Sequence, residues 1–142
     1  MNAYQEMRDR QQKEFNSFPC FFAFSQKQFD EGMKKIGLKP SDTKLVYRGP
    51  GGMYYRKTDA HGLKEMMDRF DREKEEAIMG DTTGEGFILD MFKTELANHE
   101  YGYTYELEET LEAVGLTISV VKAKPNLLNG LRKALKRYGV TI

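Results

Sequence analysis

Three features of the sequence predict an α+β domain with about six helices packed on a small antiparallel sheet that includes one β-hairpin. Apolar residues recur at helical spacing through most of the chain, most plainly as Phe87, Ile88, Met91, Phe92 and Leu96. Two β-prone runs, KLVYR and MYYRK, flank the glycine-rich turn GPGG, which is the pattern of a hairpin. The length, 142 residues, suits a single domain over 1–142 with a core that needs no covalent staples.

The elements follow in order. Residues 3 to 16 form a first helix, with Tyr4, Met7, Gln11 and Phe15 on one side and Ser17 and Pro19 ending it. CFFAF (Cys20 to Phe24) is too short for a helix and reads as a buried strand or an apolar strap. Ser25 with Gln28 makes a capping box for a second helix, striped by Phe29, Met33 and Ile36 and stopped by Gly37. Pro40 to Thr43 is a turn before the hairpin. Two strands alone are marginal, so the hairpin must rest on a helix or pair with CFFAF or with the tyrosines further on. Thr58 or Asp59 caps a long third helix to about Met79, with Leu63, Met66, Met67, Phe70, Ala77 and Ile78 inward.

The stretch from Gly84 to Gly115 organises the second half. Asp81, Thr82 and Thr83 offer cap oxygens ahead of the Phe87 helix. Glu95 is expected mostly on its solvent side. After His99 and Glu100 the period changes from about 3.6 to 2, which predicts Tyr101, Tyr103 and Tyr105 along one face of an extended segment. Glu106 to Val114 resumes a helix, with Gly115 as its left-handed C′ residue. Thr117 opens a short helix that Pro125 interrupts. Asn126 then caps a last helix bearing Leu127, Leu128, Leu131, Leu135 and Tyr138.

Bulk properties exclude several classes. With 39% hydrophobic and 31% charged residues the chain suits a soluble globular protein. Lys plus Arg and Asp plus Glu balance at 22 each, so no net field directs it to nucleic acid or an anionic membrane. The one cysteine, Cys20, cannot form an internal disulfide, and its apolar setting predicts a buried, inert thiol. No run nears the roughly 18 apolar residues of a membrane helix. The polar amino terminus is no signal peptide, so a cytoplasmic location and no membrane partner are expected.

Charge is unevenly distributed. Glu85, Asp90, Glu95, Glu100, Glu106, Glu108, Glu109 and Glu112 face one lysine, Lys93, in the same stretch. Lys122, Lys124, Arg132, Lys133, Lys136 and Arg137 follow with no acid. The two segments either pair internally or form an acidic and a basic surface.

Chemical motifs are sparse. Glu95, His99 and Glu100 are the metal candidates, with Asp90 or His61 as a further ligand. HExxH spacing is absent, and a helix-end histidine paired to Glu95 explains the pattern as well. His61 and Glu65 repeat that geometry at the start of the third helix. No GxSxG accompanies Cys20, so the reading leans away from an enzyme and assigns no metal or cofactor. GPGG and DTTGEG could present amides to a phosphate but lack GK[ST] and GxGxxG. Arg48, Arg56 and Lys57 flank the first loop and keep nucleotide sequestration as an alternative. The carboxy-terminal bases lack a recognition helix, since ISVVKAK is short, apolar and broken by Pro125, so direct nucleic-acid reading is disfavoured.

The segments FFAFSQKQFDEGMKKIGL, GPGGMYYRKTD and GEGFILDMFKTELANHEYGYTYELEETLEAVGLT resemble, in this order, a family of small uncharacterised proteins carried by phages, plasmids and conjugative elements of Gram-positive gut bacteria. The resemblance runs from about Tyr4 to Tyr138 and carries no assigned reaction. GPGG stands where a plainer glycine run is expected, and the last helix is more basic. The resemblance implies an accessory protein of a mobile element in a bacterial host cell. Many such proteins inhibit host defence, CRISPR nucleases included, by binding alone.

The expected function is therefore non-enzymatic binding of a host protein or nucleoprotein. Glu95, Glu100, Tyr101, Tyr103, Glu106, Glu108 and Glu109 are the expected contact residues, with carboxylates mimicking a phosphate track and tyrosines as anchors. The hairpin tip, from Arg48 to Tyr54, is a second contact. A metal-dependent hydrolase or nuclease at Glu95, His99 and Glu100 is the competing class. The eight methionines are compatible with adaptable packing in a homo-oligomer.

Overall fold

A computed structural model describes residues 2–142. Its elements run α1 (Ala3–Asn16), β1 (Cys20–Phe22), α2 (Gln26–Lys35), β2 (Val46–Arg48), β3 (Met53–Arg56), α3 (Ala60–Gly80), α4 (Phe87–Asn98), α5 (Tyr101–Thr104), α6 (Glu108–Ala113), α7 (Ile118–Ala123) and α8 (Pro125–Leu135). The α+β class is as predicted: helices dominate and one small antiparallel sheet contains the hairpin. None of the helices is long and apolar enough to cross a membrane among the described residues. By its internal contacts the chain divides into two compact units, Gln12–Asp71 and the residues up to Gln11 with Arg72–Ile142. The divisions fall inside α1 and α3.

In the unit Gln12–Asp71, the sheet order is β1-β3-β2. CFFAF is thus an edge strand rather than a strap, with Phe21 opposite Tyr54. Its period of 2 buries Phe21 and Ala23 and turns Phe22 and Phe24 outward. Helix α2 presses on β1 so closely that a Cβ at Gly32 would lie 2.0 Å from the Phe21 ring. Phe21, Phe29 and Tyr54 form an aromatic cluster, with Phe29 and Tyr54 edge to face at 5.1 Å. Ser25 caps α2 by accepting from the Gln28 N–H at 3.2 Å. The Gln28 side chain answers to the Phe24 N–H at 2.7 Å, one residue upstream of the usual box.

Met53, Leu63 and Met66 form a second cluster with Phe15, Phe18, Cys20, Tyr55 and Phe70 around it. Met67, expected inward, is exposed, because one step beyond Met66 turns a side chain about 100° round the helix. Cys20 is half-buried, and burial raises its thiol pKa.

The second unit packs α4 against α8. Ile88, Met91, Phe92 and Leu96 meet Leu127, Leu131, Ala134 and Leu135, all fully buried. The approach depends on Gly130, where a Cβ would lie 2.4 Å from Ile88 Cγ2 and 2.7 Å from the Gly84 carbonyl oxygen. Tyr4 and Met7 of α1 complete this core with Ile78, Val114 and Val121. Asn126 does not cap α8, whose first residue is Pro125. Its amide instead donates to the Ile78 and Asp81 carbonyls at 3.2 and 3.1 Å, closing the end of α3.

Candidate functional site

Tyr101, Tyr103 and Tyr105 do not lie along an extended segment. Tyr101–Thr104 is one helical turn, closed by Tyr105 N–H donating to the Tyr101 carbonyl at 2.8 Å. Tyr101 and Tyr105 are therefore neighbours at i,i+4, with ring centroids 5.4 Å apart, and Tyr103 points elsewhere. The cause is Tyr101 itself. It is only 3% exposed and packs edge to face on Tyr138 at 5.1 Å, an anchor that curls the segment. Tyr101 is thus a core residue and not a contact residue. Burial, and then Tyr105 and Tyr138, raise its phenol pKa.

Both ends of this turn are left-handed without glycine. Glu100 has φ 54° and Tyr105 has φ 53°. A residue with a Cβ in that region costs roughly 1 kcal/mol or more, so the turn is held in place by its surroundings. Its product is an outward Tyr103, 89% exposed, with Tyr105 57% exposed beside it. Glu100, Glu106, Glu108 and Glu109 are all exposed around these rings, and so is Glu112 one helical turn beyond Glu108. Glu109 approaches His99 Nδ1 at 3.5 Å. The other four form no ion pair among the described residues. Next to them, Leu107, Leu111, Leu116 and Ile118 with Glu108 and Glu112 line a groove of about 330 Å³.

Glu95 is not part of this surface. It is 4% exposed, and its place is seven residues after Ile88, on the same stripe as Met91 and Phe92. Its carboxylate accepts from Asn98 Nδ2 at 2.6 Å, and its charge acts on the Tyr4 phenol. Burial first, and the Glu95 carboxylate second, push the Tyr4 phenol up to about 12, with Arg8 opposing. Glu95, His99 and Glu100 are accordingly not convergent: one is inside the core, one pairs with Glu109, and one sits on the left-handed bend. His61 pairs with Glu65 at 2.9 Å on the surface of α3. Among the described residues no three His, Cys, Asp or Glu side chains group as metal ligands.

The DTTGEG loop does form an amide nest, but its own aspartate fills it. Asp81 accepts from the N–H groups of Gly84 and Gly86, each at 3.1 Å, and of Ile88 at 2.9 Å. At the hairpin, Arg56 is committed to Asp59 at 2.7 Å and to the Ile36 carbonyl at 3.3 Å, and Lys57 lies over the Tyr47 ring at 5.1 Å. Arg48 has no such partner among the described residues and, with Tyr54, lines a cleft of about 550 Å³. The acidic and basic stretches pair once among the described residues, through Lys133 and Glu85 at 3.0 Å. Lys122, Lys124, Lys136 and Arg137 are exposed.

Sequence reasoning missed Glu112 and the apolar groove, although Leu107, Leu111 and Glu108, Glu112 show both at i,i+4 spacing. It also missed Phe24, which the period of 2 in CFFAF places outward.

No curated protein and no solved structure matches the chain. A family model does, over residues 3–137, and the chain belongs to that family, a family of unknown function (DUF7659).

Proposed function

We propose that this is a non-enzymatic binding protein, docking a host protein or nucleoprotein through Glu100, Tyr103, Tyr105, Glu106, Glu108 and Glu109. The observation that carries the reading is Tyr103, a large aromatic 89% exposed on a backbone held left-handed at both ends. A bare ring on a backbone set in this way is a ready anchor. The carboxylates around it, of which only Glu109 has an ion-pair partner among the described residues, fit a basic surface and repel nucleic acid directly. An accessory role on a mobile element in a bacterial cytoplasm, and inhibition of the anti-defence type, follow from the sequence resemblance and extend this reading.

The test is charge reversal. E100K, E106K and E109K combined leave the core untouched, so circular dichroism and the unfolding midpoint stay close to wild type. Capture from host lysate by wild-type protein should recover a partner that the triple variant loses. Equal recovery by both would overturn the assignment of this face.

A further inference from the structure

We infer that the cleft beside the hairpin, lined by Phe24, Gln26, Phe29, Thr43, Arg48 and Tyr54, is a binding site for a nucleoside phosphate. At about 550 Å³ the cleft falls within the usual size of small-ligand pockets. Its lining contains one charged side chain, Arg48, and no carboxylate. Asp30 and Asp42 stand outside the lining, where Asp30 accepts from Gln26 Nε2 at 2.8 Å and Asp42 from the Lys39 N–H at 2.9 Å. Helix α2, which begins at this cleft, has no acid in its first turn, so its dipole adds to the positive potential there.

The second half of the argument is Phe24. It is 78% exposed, yet its ring is fixed against the glycine turn: a Cβ at Gly52 would lie 2.7 Å from Phe24 Cε1. Phe29 and Tyr54 form the wall behind it. A flat, apolar face beside a guanidinium with no partner among the described residues defines a ligand with a π-system and an anion in one molecule. Inorganic phosphate would leave Phe24 bare, and an uncharged aromatic would leave Arg48 idle. A nucleobase stacks on the ring, its polar edge meets the Gln26 and Thr43 side chains, and the phosphate takes the fork of Arg48. Arg56 and Lys57, the other bases of the hairpin, are already engaged and leave this role to Arg48. The inference is independent of the acidic face.

The nucleoside phosphate could be a free mononucleotide or one residue of a single strand, and calorimetric titration of the full chain separates these sources. The probes are the four ribonucleoside monophosphates, adenosine, inorganic phosphate and single-stranded tetranucleotides. At least one monophosphate or tetranucleotide should bind saturably, about tenfold or more tighter than adenosine or phosphate alone. R48Q and F24S, both at exposed positions, should each weaken that binding about tenfold. A tetranucleotide that binds more tightly than every monophosphate identifies a strand as the source; the reverse order identifies the free nucleotide. Absence of saturable binding at millimolar concentration, or binding that survives R48Q, would overturn the site.

Discussion

Tyr4 and Glu95 show how a polar pair is placed inside an apolar core. The carboxylate accepts from Asn98, the Tyr4 hydroxyl accepts from Arg8 Nη1 at 3.5 Å, and no buried side-chain polar atom lacks a partner among the described residues. Tyr4→Phe removes this buried hydroxyl and should cost about 1 kcal/mol at neutral pH. Linkage adds a pH signature. The folded phenol, at about 12, lies above its ordinary value of about 10, so the unfolded chain gives up this proton first. Above about pH 10 the unfolded state therefore binds fewer protons, and stability falls as pH rises. The Tyr4 contribution is whole below about pH 10 and lost through about pH 12. Urea titrations across that window should show the gap between wild type and Y4F narrowing with pH. A gap independent of pH would mean that the folded phenol is not raised above its ordinary value.

At the level of elements, the loop from Asp81 to Ile88 links the end of α3 to the start of α4 through one side chain. Asp81 serves three amides, and Gly84, at φ 82°, passes so close to α8 that a Cβ there would lie 2.0 Å from the Asn126 carbonyl oxygen. Asp81→Ala should lower stability by about 2 kcal/mol, and Asp81→Asn by roughly half as much, since the amide keeps one acceptor oxygen. Denaturant midpoints at unchanged slope measure both. A neutral D81A would show that water replaces the carboxylate at the nest.

Most elements were legible because local chemistry and burial agree there. Ser25 with Gln28, Gly37, Gly115 and the Ile88 to Leu96 stripe each mark in sequence what the structure uses. The failures come where a long-range contact overrides the local pattern. Alternating tyrosines suggest a strand, but burial of Tyr101 against Tyr138 forces a helical turn bounded by two strained residues. Glu95, expected on the solvent side, lies at the edge of the apolar stripe and turns inward, where the Tyr4 phenol from a distant helix lies within its field. Of the expected contact residues in this stretch, Glu100, Tyr103, Glu106, Glu108 and Glu109 are exposed.

For the whole molecule, charge balance means that long-range attraction cannot come from net charge, which is zero. On the proposed reading, steering arises from the acidic stretch around α5 and α6, to which, among the described residues, only Lys133 of the basic stretch pairs back, with Glu85. Such a local field acts within about a Debye length, roughly 10 Å at 0.1 M salt and 3 Å at 1 M. It governs the encounter more than the lifetime of a complex, whereas a buried aromatic anchor governs the lifetime. The two contributions should therefore separate kinetically on the partner recovered by capture. Raising salt from about 0.05 to 0.5 M should slow association about tenfold with little change in dissociation. Tyr103→Ala should do the opposite, speeding dissociation about tenfold or more at nearly constant association rate. Surface plasmon resonance resolves both rates. If salt instead accelerates dissociation and Y103A is silent, the carboxylates are the bound contacts and Tyr103 is not the anchor.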